Sequence, residues 1–313
     1  MLPYFFLILG LLILLLGGKF LVDGASSIAY KLGLSSGLIG LTVVAFGTSA
    51  PELLVSINAA INGNSDISIG NVVGSNIANI GLVLGLSGLF YPIEISKAHL
   101  RFDYSLMLAV TIVFFILSSD QKISFWDGSV LIGGFILLNG YLLRNLGKGL
   151  QLENELIEEN LEEIKRYSLP IAVTLLIFGV IGLYFGSEML VNNAVLISKE
   201  FGVSERIIGV TIIAIGTSLP ELITSIIAAL SKRTDLALGN ILGSNLMNVL
   251  SIIGITALIN PIEVSEAFIK VDYLWMIGIS ILLFPLMRTK MRISKIEGAI
   301  LLLSYFGYLY LLL

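Results

Sequence analysis

The chain has 313 residues, of which 56% are hydrophobic and only 13% are charged, and its mean hydropathy is +0.97. The charged fraction is about half that of an ordinary soluble domain, so the composition excludes a water-soluble globular fold and predicts a membrane protein. The net charge of −4 gives no sign of nucleic-acid binding, and the lack of cysteine excludes disulfides and thiolate metal sites.

Ten apolar segments are long enough to cross a membrane, since a spanning helix needs ~20 apolar residues. The first has neither a basic leader nor a small-residue cleavage site, so it is predicted to be a membrane helix and not a removable signal. The segments lie near residues 4–28, 34–61, 68–91, 102–119, 126–144, 169–197, 204–230, 237–259, 271–287 and 296–313. An acidic stretch at 145–168 divides the chain into a first half, 1–144, and a second half, 169–313.

The two halves are copies of each other. A shift of 169 positions aligns residues 33–95 with 202–264 without a gap, and 28 of the 63 aligned pairs are identical. Each half holds five predicted helices, an odd number, so the second copy enters the membrane upside down relative to the first. Inverted repeats of this kind are typical of transporters, whose substrate site lies at the midplane between the copies.

The loop charges predict the orientation of these helices. With the N-terminus outside, four basic residues lie in outer loops, namely Lys122, Lys199, Arg206 and Lys270. Thirteen then lie in cytoplasmic loops, namely Lys31, Lys97, Arg101, Arg144, Lys148, Lys165, Arg166, Lys232, Arg233, Arg288, Lys290, Arg292 and Lys295. The positive-inside rule therefore predicts a multi-pass protein of the cell membrane with both termini extracellular.

Two carboxylates, Glu52 and Glu221, fall deep inside predicted helices 2 and 7 at equivalent positions of the repeat. An ionised carboxylate in a membrane helix costs at least about 2.5–3.5 kcal/mol, so its presence needs a reason. A protonated glutamate that hydrogen-bonds between helices is one alternative. Repetition in both halves, each time inside a polar motif, favours a pair of cation ligands.

The motif around each glutamate is Gly-Thr-Ser-x-Pro-Glu, at residues 47–52 and 216–221. Proline lacks an N–H and clashes with the carbonyl four residues earlier, so Pro51 and Pro220 predict helix breaks that free the carbonyls of the preceding turn. The Thr and Ser hydroxyls share a helix face with the glutamate. Carbonyls, hydroxyls and a carboxylate together suit a hard cation such as Ca²⁺. A proline that merely bends the helix is the alternative.

Predicted helices 3 and 8 carry a polar stripe that we expect to form a second wall of the site, with plain inter-helix hydrogen bonding as the alternative. The stripe repeats every fourth residue, at Asn71, Ser75 and Asn79 and at Asn240, Ser244 and Asn248. Asn76 and Asn245 lie off the stripe and are predicted to be structural. Small residues spaced four apart predict close helix contacts at Gly70, Gly74, Gly239 and Gly243.

At these residues the sequence resembles the calcium/cation antiporter superfamily, and within it the prokaryotic sodium/calcium exchangers. The blocks GTSAPE and GNVVGSNIAN, with GTSLPE and GNILGSNLMN in the second half, are similar to that family's paired alpha repeats. The resemblance implies an all-α membrane fold of ten helices in two inverted five-helix repeats, with helices 2 and 7 broken at the site. It also implies that helices 1 and 6 form the moving gate.

The implied function is secondary antiport of Na⁺ against Ca²⁺ by alternating access, with three Na⁺ for one Ca²⁺, and not an enzymatic activity. The resemblance implies that Ca²⁺ is bound by the carboxylates of Glu52 and Glu221 and the carbonyls of Thr48 and Thr217. It implies that Asn79 and Asn248 complete the centre. The implied sodium ligands are the hydroxyls of Ser49, Ser75, Ser218 and Ser244 and the carbonyls of Ala45 and Ala214.

One position departs from part of this family. Some relatives, including those that co-transport K⁺, have aspartate where this chain has Asn248, so we predict a K⁺-independent exchanger. A proton/calcium exchanger is the alternative function, although such proteins usually have a different acidic motif. A calcium channel and an aspartyl-type membrane protease are further alternatives, and glutamates in place of aspartates disfavour the protease. No cofactor and no obligatory protein partner beyond the lipid bilayer are expected.

Two remaining features are predicted to be local. Lys19 and Asp23 are one helical turn apart near the inner end of predicted helix 1, which predicts an ion pair between them, with a gate as the alternative. The acidic linker at 145–168 interleaves glutamates with leucine and isoleucine, which predicts an amphipathic surface helix. A calcium sensor is the alternative for that linker.

Overall fold

The computed structural model describes residues 2–145, 167–202 and 214–312. The helices of these ranges are α1 (Leu2–Leu32), α2 (Ser36–Thr48), α3 (Ala50–Ile61), α4 (Ser65–Phe90), α5 (His99–Leu117), α6 (Phe125–Asn145), α7 (Leu169–Glu200), α8 (Ala214–Thr217), α9 (Leu219–Leu230), α10 (Thr234–Ile259), α11 (Phe268–Met291) and α12 (Lys295–Leu312). Their short strands are β1 (Ile93–Glu94), β2 (Lys122–Ile123), β3 (Ile262–Glu263) and β4 (Arg292–Ile293).

The helices confirm the predicted all-α membrane fold. In the described ranges, eight helices are long and apolar enough to cross a membrane, and α2 and α3 form a further span that bends by 45°. Helices α8 and α9 are the described part of predicted helix 7, whose first half lies outside the described residues, as does most of the linker. Helices α9 and α10 begin and end 169 positions after α3 and α4, so the sequence repeat is also a structural repeat.

Two strand pairs, which the sequence did not predict, show that the repeats are inverted. Strand β1 pairs with β4 and β2 pairs with β3, both antiparallel, so each pair joins one half to the other. Because β1 precedes the span α5 and β2 follows it, the two pairs lie at opposite ends of that span. Strand β3 therefore lies on the opposite side from its repeat equivalent β1, as inversion requires.

Helices α1 and α7, the first helix of each half, pack together at very short distance. A Cβ atom added to Gly17 would lie 2.7 Å from the backbone nitrogen of Leu183, and one added to Gly179 would lie 2.5 Å from that of Leu21. No side chain fits between the backbones there, so glycine is required at these contacts. The glycines that the two halves share are thus what lets α1 and α7 approach each other.

Helices α4 and α10 form the centre of the protein. In their most apolar segments 78% and 89% of the residues are buried, against at most 33% in the other unbroken spans. The predicted close contacts are confirmed at Gly239 and Gly243, where a Cβ would clash with the carbonyls of Gly37 and Leu41 on α2. At Gly74 a Cβ would meet no described atom within 4 Å, so the described residues do not reproduce that contact.

The predicted ion pair between Lys19 and Asp23 is wrong. The carboxylate of Asp23 is bound by Arg233, whose Nη1 lies 3.2 Å from Oδ1, and the same nitrogen donates to the carbonyl of Val22 at 3.0 Å. Arg233 lies in the turn between α9 and α10. The pair therefore joins α1, at Val22 and Asp23, to the turn before α10 in the second half.

Candidate ion-binding site

The two buried glutamates lie directly after a helix break, as their motifs predict. Ser49 and Ser218 have backbone angles near φ −86°, ψ 7° and φ −88°, ψ 6°, outside the helical range. Each proline then occupies the first turn of the next helix, where its missing N–H costs nothing. Glu52 and Glu221 also fall in that first turn and are 1% and 0% exposed. The helix dipole of α3 or α9 thus favours a negative charge at each.

Each carboxylate has one oxygen atom that accepts no hydrogen bond from the described residues. Oε1 of Glu221 accepts hydrogen bonds from the hydroxyls of Ser49 at 2.9 Å and Ser244 at 3.4 Å. The Oε2 atoms of Glu52 and Glu221 are buried and have no hydrogen-bond partner among the described residues. A buried oxygen without a donor calls for an explanation, and an ion is one.

The surrounding hydroxyls connect the two halves. Ser218 donates to the hydroxyl of Ser75 at 3.4 Å, and Thr48 donates to Oδ1 of Asn240 at 3.2 Å. The hydroxyls of Thr48 and Ser244 are 3.5 Å apart. All three contacts join a first-half residue to a second-half residue, so α4 and α10 lie beside the breaks where the repeats meet, which is where a second wall was expected.

Asn71 and Asn240 form hydrogen bonds between helices, which was the alternative interpretation of the polar stripe. Nδ2 of Asn71 donates to the carbonyl of Glu52 at 3.0 Å and to Ser56 at 2.9 Å, which ties α4 to α3. Nδ2 of Asn240 donates to Ser225 at 3.0 Å, which ties α10 to α9 in the same way. These two amides therefore hold the walls of the site together.

Asn79 and Asn248 lie at the centre and are fully buried. At each of them the α-helix widens into a π-helical segment, a local change that is frequent at functional sites. Their Nδ2 atoms donate at 3.0 Å to Asn245 and Asn76 respectively. Their Oδ1 atoms are buried without a hydrogen-bond partner in the described part of the chain. The centre thus adds two neutral oxygens to the carboxylates.

The predicted carbonyl ligands lie on the turn before each break. Ala45 already uses its carbonyl, which accepts from the N–H of Ser49 at 3.0 Å and from the hydroxyl of Thr48 at 3.3 Å. Ala214 and Thr217 are the first and last residues of the short helix α8, on the same turn of the second half. The described chain therefore brings every predicted site residue to one of the two breaks or to the facing walls of α4 and α10.

One contact at the break was missed by the sequence analysis. Pro220 has no N–H to offer the carbonyl of Gly216, and the hydroxyl of Ser187 on α7 donates to that carbonyl instead, at 2.9 Å. The repeat equivalent of Ser187 is Gly18, which has no side chain. The two breaks are thus not bonded alike, and only a comparison of the halves at these positions would have indicated it.

As a ligand set, the site offers oxygen atoms only. The described residues contain no group of three or more His, Asp or Glu side chains that could hold a metal ion. The formal charge therefore comes from Glu52 and Glu221, and neutral oxygens supply the rest. Oxygen ligands with two negative charges suit a hard cation such as Ca²⁺, whereas a transition metal would favour nitrogen or sulfur.

The chain is similar to known proteins over nearly its whole length. The family described as "Sodium/calcium exchanger protein" matches residues 2–144 and 171–313. The chain is 40% identical over 311 residues to CaxA of Alkalimonas amylolytica, covering 98% of this chain and 97% of CaxA. It is 32% identical over 346 residues to the sodium/calcium exchanger MaX1 of Methanosarcina acetivorans, covering 99% and 98%. A structure of the sodium-calcium exchanger NCX_Mj, soaked with zero Na⁺ and Ca²⁺, superposes with a TM-score of 0.85 at 31% identity, covering 100% of this chain and 99% of that one.

Proposed function

This chain belongs to the sodium/calcium exchanger family, and we propose that it exchanges three Na⁺ for one Ca²⁺ across the cell membrane by alternating access, without K⁺. Membership makes it a multi-pass cation and calcium antiporter and not an enzyme. The proposal adds the coupling ion, the stoichiometry, the ligands and the orientation.

The observation that carries the proposal is the pair of buried glutamates between the inverted repeats, each with an oxygen that has no partner among the described residues. Two carboxylates 5 Å apart repel each other by ~3 kcal/mol at an effective dielectric constant of 20. One Ca²⁺ neutralises both charges, two Na⁺ do the same, and a third Na⁺ leaves the site at about +1. An empty site carries the charge of both carboxylates and resists crossing the membrane. After one ion has been released, the site therefore returns only with the other ion bound. This is the condition for antiport.

We assign the ligands as follows. Ca²⁺ binds to the carboxylates of Glu52 and Glu221 with the carbonyls of Thr48 and Thr217, and Asn79 and Asn248 complete the centre. Na⁺ binds around Ser49, Ser75, Ser218 and Ser244 with the carbonyls of Ala45 and Ala214. The contacts of Ser49 and Ser244 with Glu221 support this assignment, because they bring one hydroxyl from each half to that carboxylate. The contact between Ser218 and Ser75 joins the other two hydroxyls across the halves.

Helices α1 and α7 are the proposed gate. They carry none of the proposed ligands, and their backbones are in close contact at the glycines, so we expect them to move together. Ser187 of α7 donates a hydrogen bond to the carbonyl of Gly216 at the break. Asp23 of α1 forms an ion pair with Arg233, which directly precedes α10. A joint movement of α1 and α7 would therefore act on both the broken helix and the end of α10.

Uptake of ⁴⁵Ca²⁺ into proteoliposomes tests the coupling ion. We expect uptake when the vesicles contain Na⁺ and the medium does not, and background uptake when Na⁺ is replaced by choline. Uptake driven by an acidic interior in the absence of Na⁺ would establish the proton/calcium exchanger instead. Uptake that needs no counter-ion gradient would indicate a channel.

The orientation can be tested with a matched pair of cysteines in this cysteine-free chain. Asn62 and Ser231 are repeat equivalents, and both are exposed in the turns after α3 and α9. In intact cells an impermeant maleimide is expected to label Asn62→Cys and to label Ser231→Cys only after permeabilisation. The opposite pattern would reverse the proposed orientation. The native chain, which cannot react, is the control.

A further inference from the structure

Four asparagines form a reciprocal hydrogen-bonded set at the contact between α4 and α10. We call Asn76, Asn79, Asn245 and Asn248 the asparagine quartet. Nδ2 of Asn79 donates to Oδ1 of Asn245, and Nδ2 of Asn248 donates to Oδ1 of Asn76, each at 3.0 Å. The exposure of each member is 3% or less. Water therefore does not compete for these bonds, and each amide orientation depends on its protein partners.

Backbone carbonyls determine which way the outer amides face. Nδ2 of Asn245 donates to the backbone carbonyl of Asn76 at 3.3 Å and to the sulfur of Met107 at 3.6 Å. Nδ2 of Asn76 donates to the backbone carbonyl of Asn245 at 3.4 Å. These partners can only accept, so the N–H₂ group of each outer amide must face them. The Oδ1 atoms of Asn76 and Asn245 must then face the central amides.

The orientation of the central amides follows from this. Because Asn79 faces an acceptor, Oδ1 of Asn245, it must present its own N–H₂ group there, and the same holds for Asn248 and Asn76. Oδ1 of each central amide is left without a donor among the described residues. A reversed central amide would set two acceptors against each other and turn its N–H₂ group toward a bound cation. Both effects oppose the reversal.

We propose that Asn76 and Asn245 are positioning residues that hold the amides of Asn79 and Asn248 with oxygen, and not nitrogen, available to the transported ion. The inference rests on the proposed ion site and explains why two residues off the polar stripe are asparagines in both halves. They need not touch the ion. Their effect on ion binding passes through the orientation of the central pair.

The affinity of the folded protein for Ca²⁺ tests this role, because it is measured on folded molecules and a substitution that only lowers the number of folded molecules leaves it unchanged. Calorimetric titration of purified protein is expected to give a Kd for Ca²⁺ that is about 10- to 100-fold higher in Asn245→Leu than in the native chain. Asn76→Leu, which acts through Asn248, is expected to raise Kd similarly and serves as the second variant if Asn245→Leu does not fold. Asn139→Leu, which removes an amide bonded within its own helix to the carbonyl of Phe135, is the matched control and is expected to leave Kd unchanged.

A second background separates orientation from general damage. Aspartate at position 79 has two equivalent oxygens, so it cannot present nitrogen to the ion. Adding Asn245→Leu to Asn79→Asp is therefore expected to leave the Kd of Asn79→Asp unchanged or to lower it, since the facing Oδ1 of Asn245 is removed. The added charge is present in both Asn79→Asp and the double variant, so it does not affect the ratio of their Kd values.

Each outcome decides between the explanations. The positioning role is supported if Asn245→Leu raises Kd strongly when residue 79 is asparagine and does not raise it when residue 79 is aspartate. An equal rise in both backgrounds shows a general structural role and overturns the inference, as does a Kd that Asn245→Leu and Asn76→Leu leave unchanged. In either case native exchange continues and the proposed function stands. A native chain that binds neither Ca²⁺ nor Na⁺ overturns the proposed function, and the inference with it.

Discussion

Glu52→Gln and Glu221→Gln are each expected to reduce calcium exchange to background while the protein stays folded. Each substitution removes one of the two formal charges of the proposed site. A pair of unit charges 4 Å apart interacts by about 4 kcal/mol at an effective dielectric constant of 20, and the interaction with a divalent ion is twice that. Since 1.4 kcal/mol is tenfold in affinity, Ca²⁺ binding should weaken by more than about a hundredfold. Uptake of ⁴⁵Ca²⁺ into Na⁺-loaded vesicles measures the loss.

Thermal unfolding separates the loss of a ligand from misfolding. The native carboxylates repel each other when no ion is bound, so the ion-free Tm of each variant should equal or exceed that of the native chain. The rise in Tm that Ca²⁺ produces by binding the folded state should disappear. Glu266→Gln, which affects only an exposed pair with Lys270, is the matched control and should exchange normally. Near-normal exchange by either Glu52→Gln or Glu221→Gln would contradict the assignment.

The site was predictable in outline because the repeat identifies it twice. Polar residues inside a membrane helix are costly, so a motif such as Gly-Thr-Ser-x-Pro-Glu in both halves indicates function more strongly than either copy alone. The proline predicts the break, and the structure has one at Ser49 and at Ser218, where each proline begins a new helix. Glu52 and Glu221 are buried at the break as expected.

The contacts between distant residues were not predictable, because they depend on how the halves dock and not on local pattern. Asp23 binds Arg233, 210 residues away in the chain, although Lys19 is one turn from it. The four strands have two residues each, too few for an alternating pattern to be recognised. The bond between Ser49 and Glu221 likewise becomes visible only when the two breaks lie side by side.

The halves also differ where their sequences diverge. Ser187 bonds the carbonyl of Gly216, but its repeat equivalent is Gly18, and the equivalents of Asp23 and Arg233 are Asn192 and Asn64. A shared motif predicts the features that both copies have, such as the central asparagines. It does not predict bonds that one copy alone makes, such as those that join α7 to the broken helix and α1 to the turn before α10.

Calcium uptake against internal Na⁺ is expected to be faster when the vesicle interior is held positive. With asparagine at both 79 and 248, the fixed charge of the proposed site is that of two carboxylates, and bound Ca²⁺ brings it near neutrality. Three Na⁺ leave the site at about +1, so the sodium-loaded step moves charge through the membrane. That charge is worth ~2.3 kcal/mol per 100 mV, which sets an upper limit of about 50-fold per 100 mV on the increase in uptake rate. Calcium uptake at clamped potentials measures this voltage effect. A K⁺-free medium should not reduce the uptake.

Asn248→Asp shows whether the charge of the site determines which step senses voltage. A third carboxylate makes the sodium-loaded site neutral and leaves the calcium-loaded site at about −1. The voltage dependence should then pass from the sodium-loaded step to the calcium-loaded step, which calcium-for-calcium exchange isolates. That exchange should be nearly indifferent to voltage in the native chain and sensitive to it in the variant. Native uptake that ignores voltage would contradict the three-to-one stoichiometry, and uptake that stops without K⁺ would contradict the interpretation of Asn248 as an uncharged, K⁺-independent position.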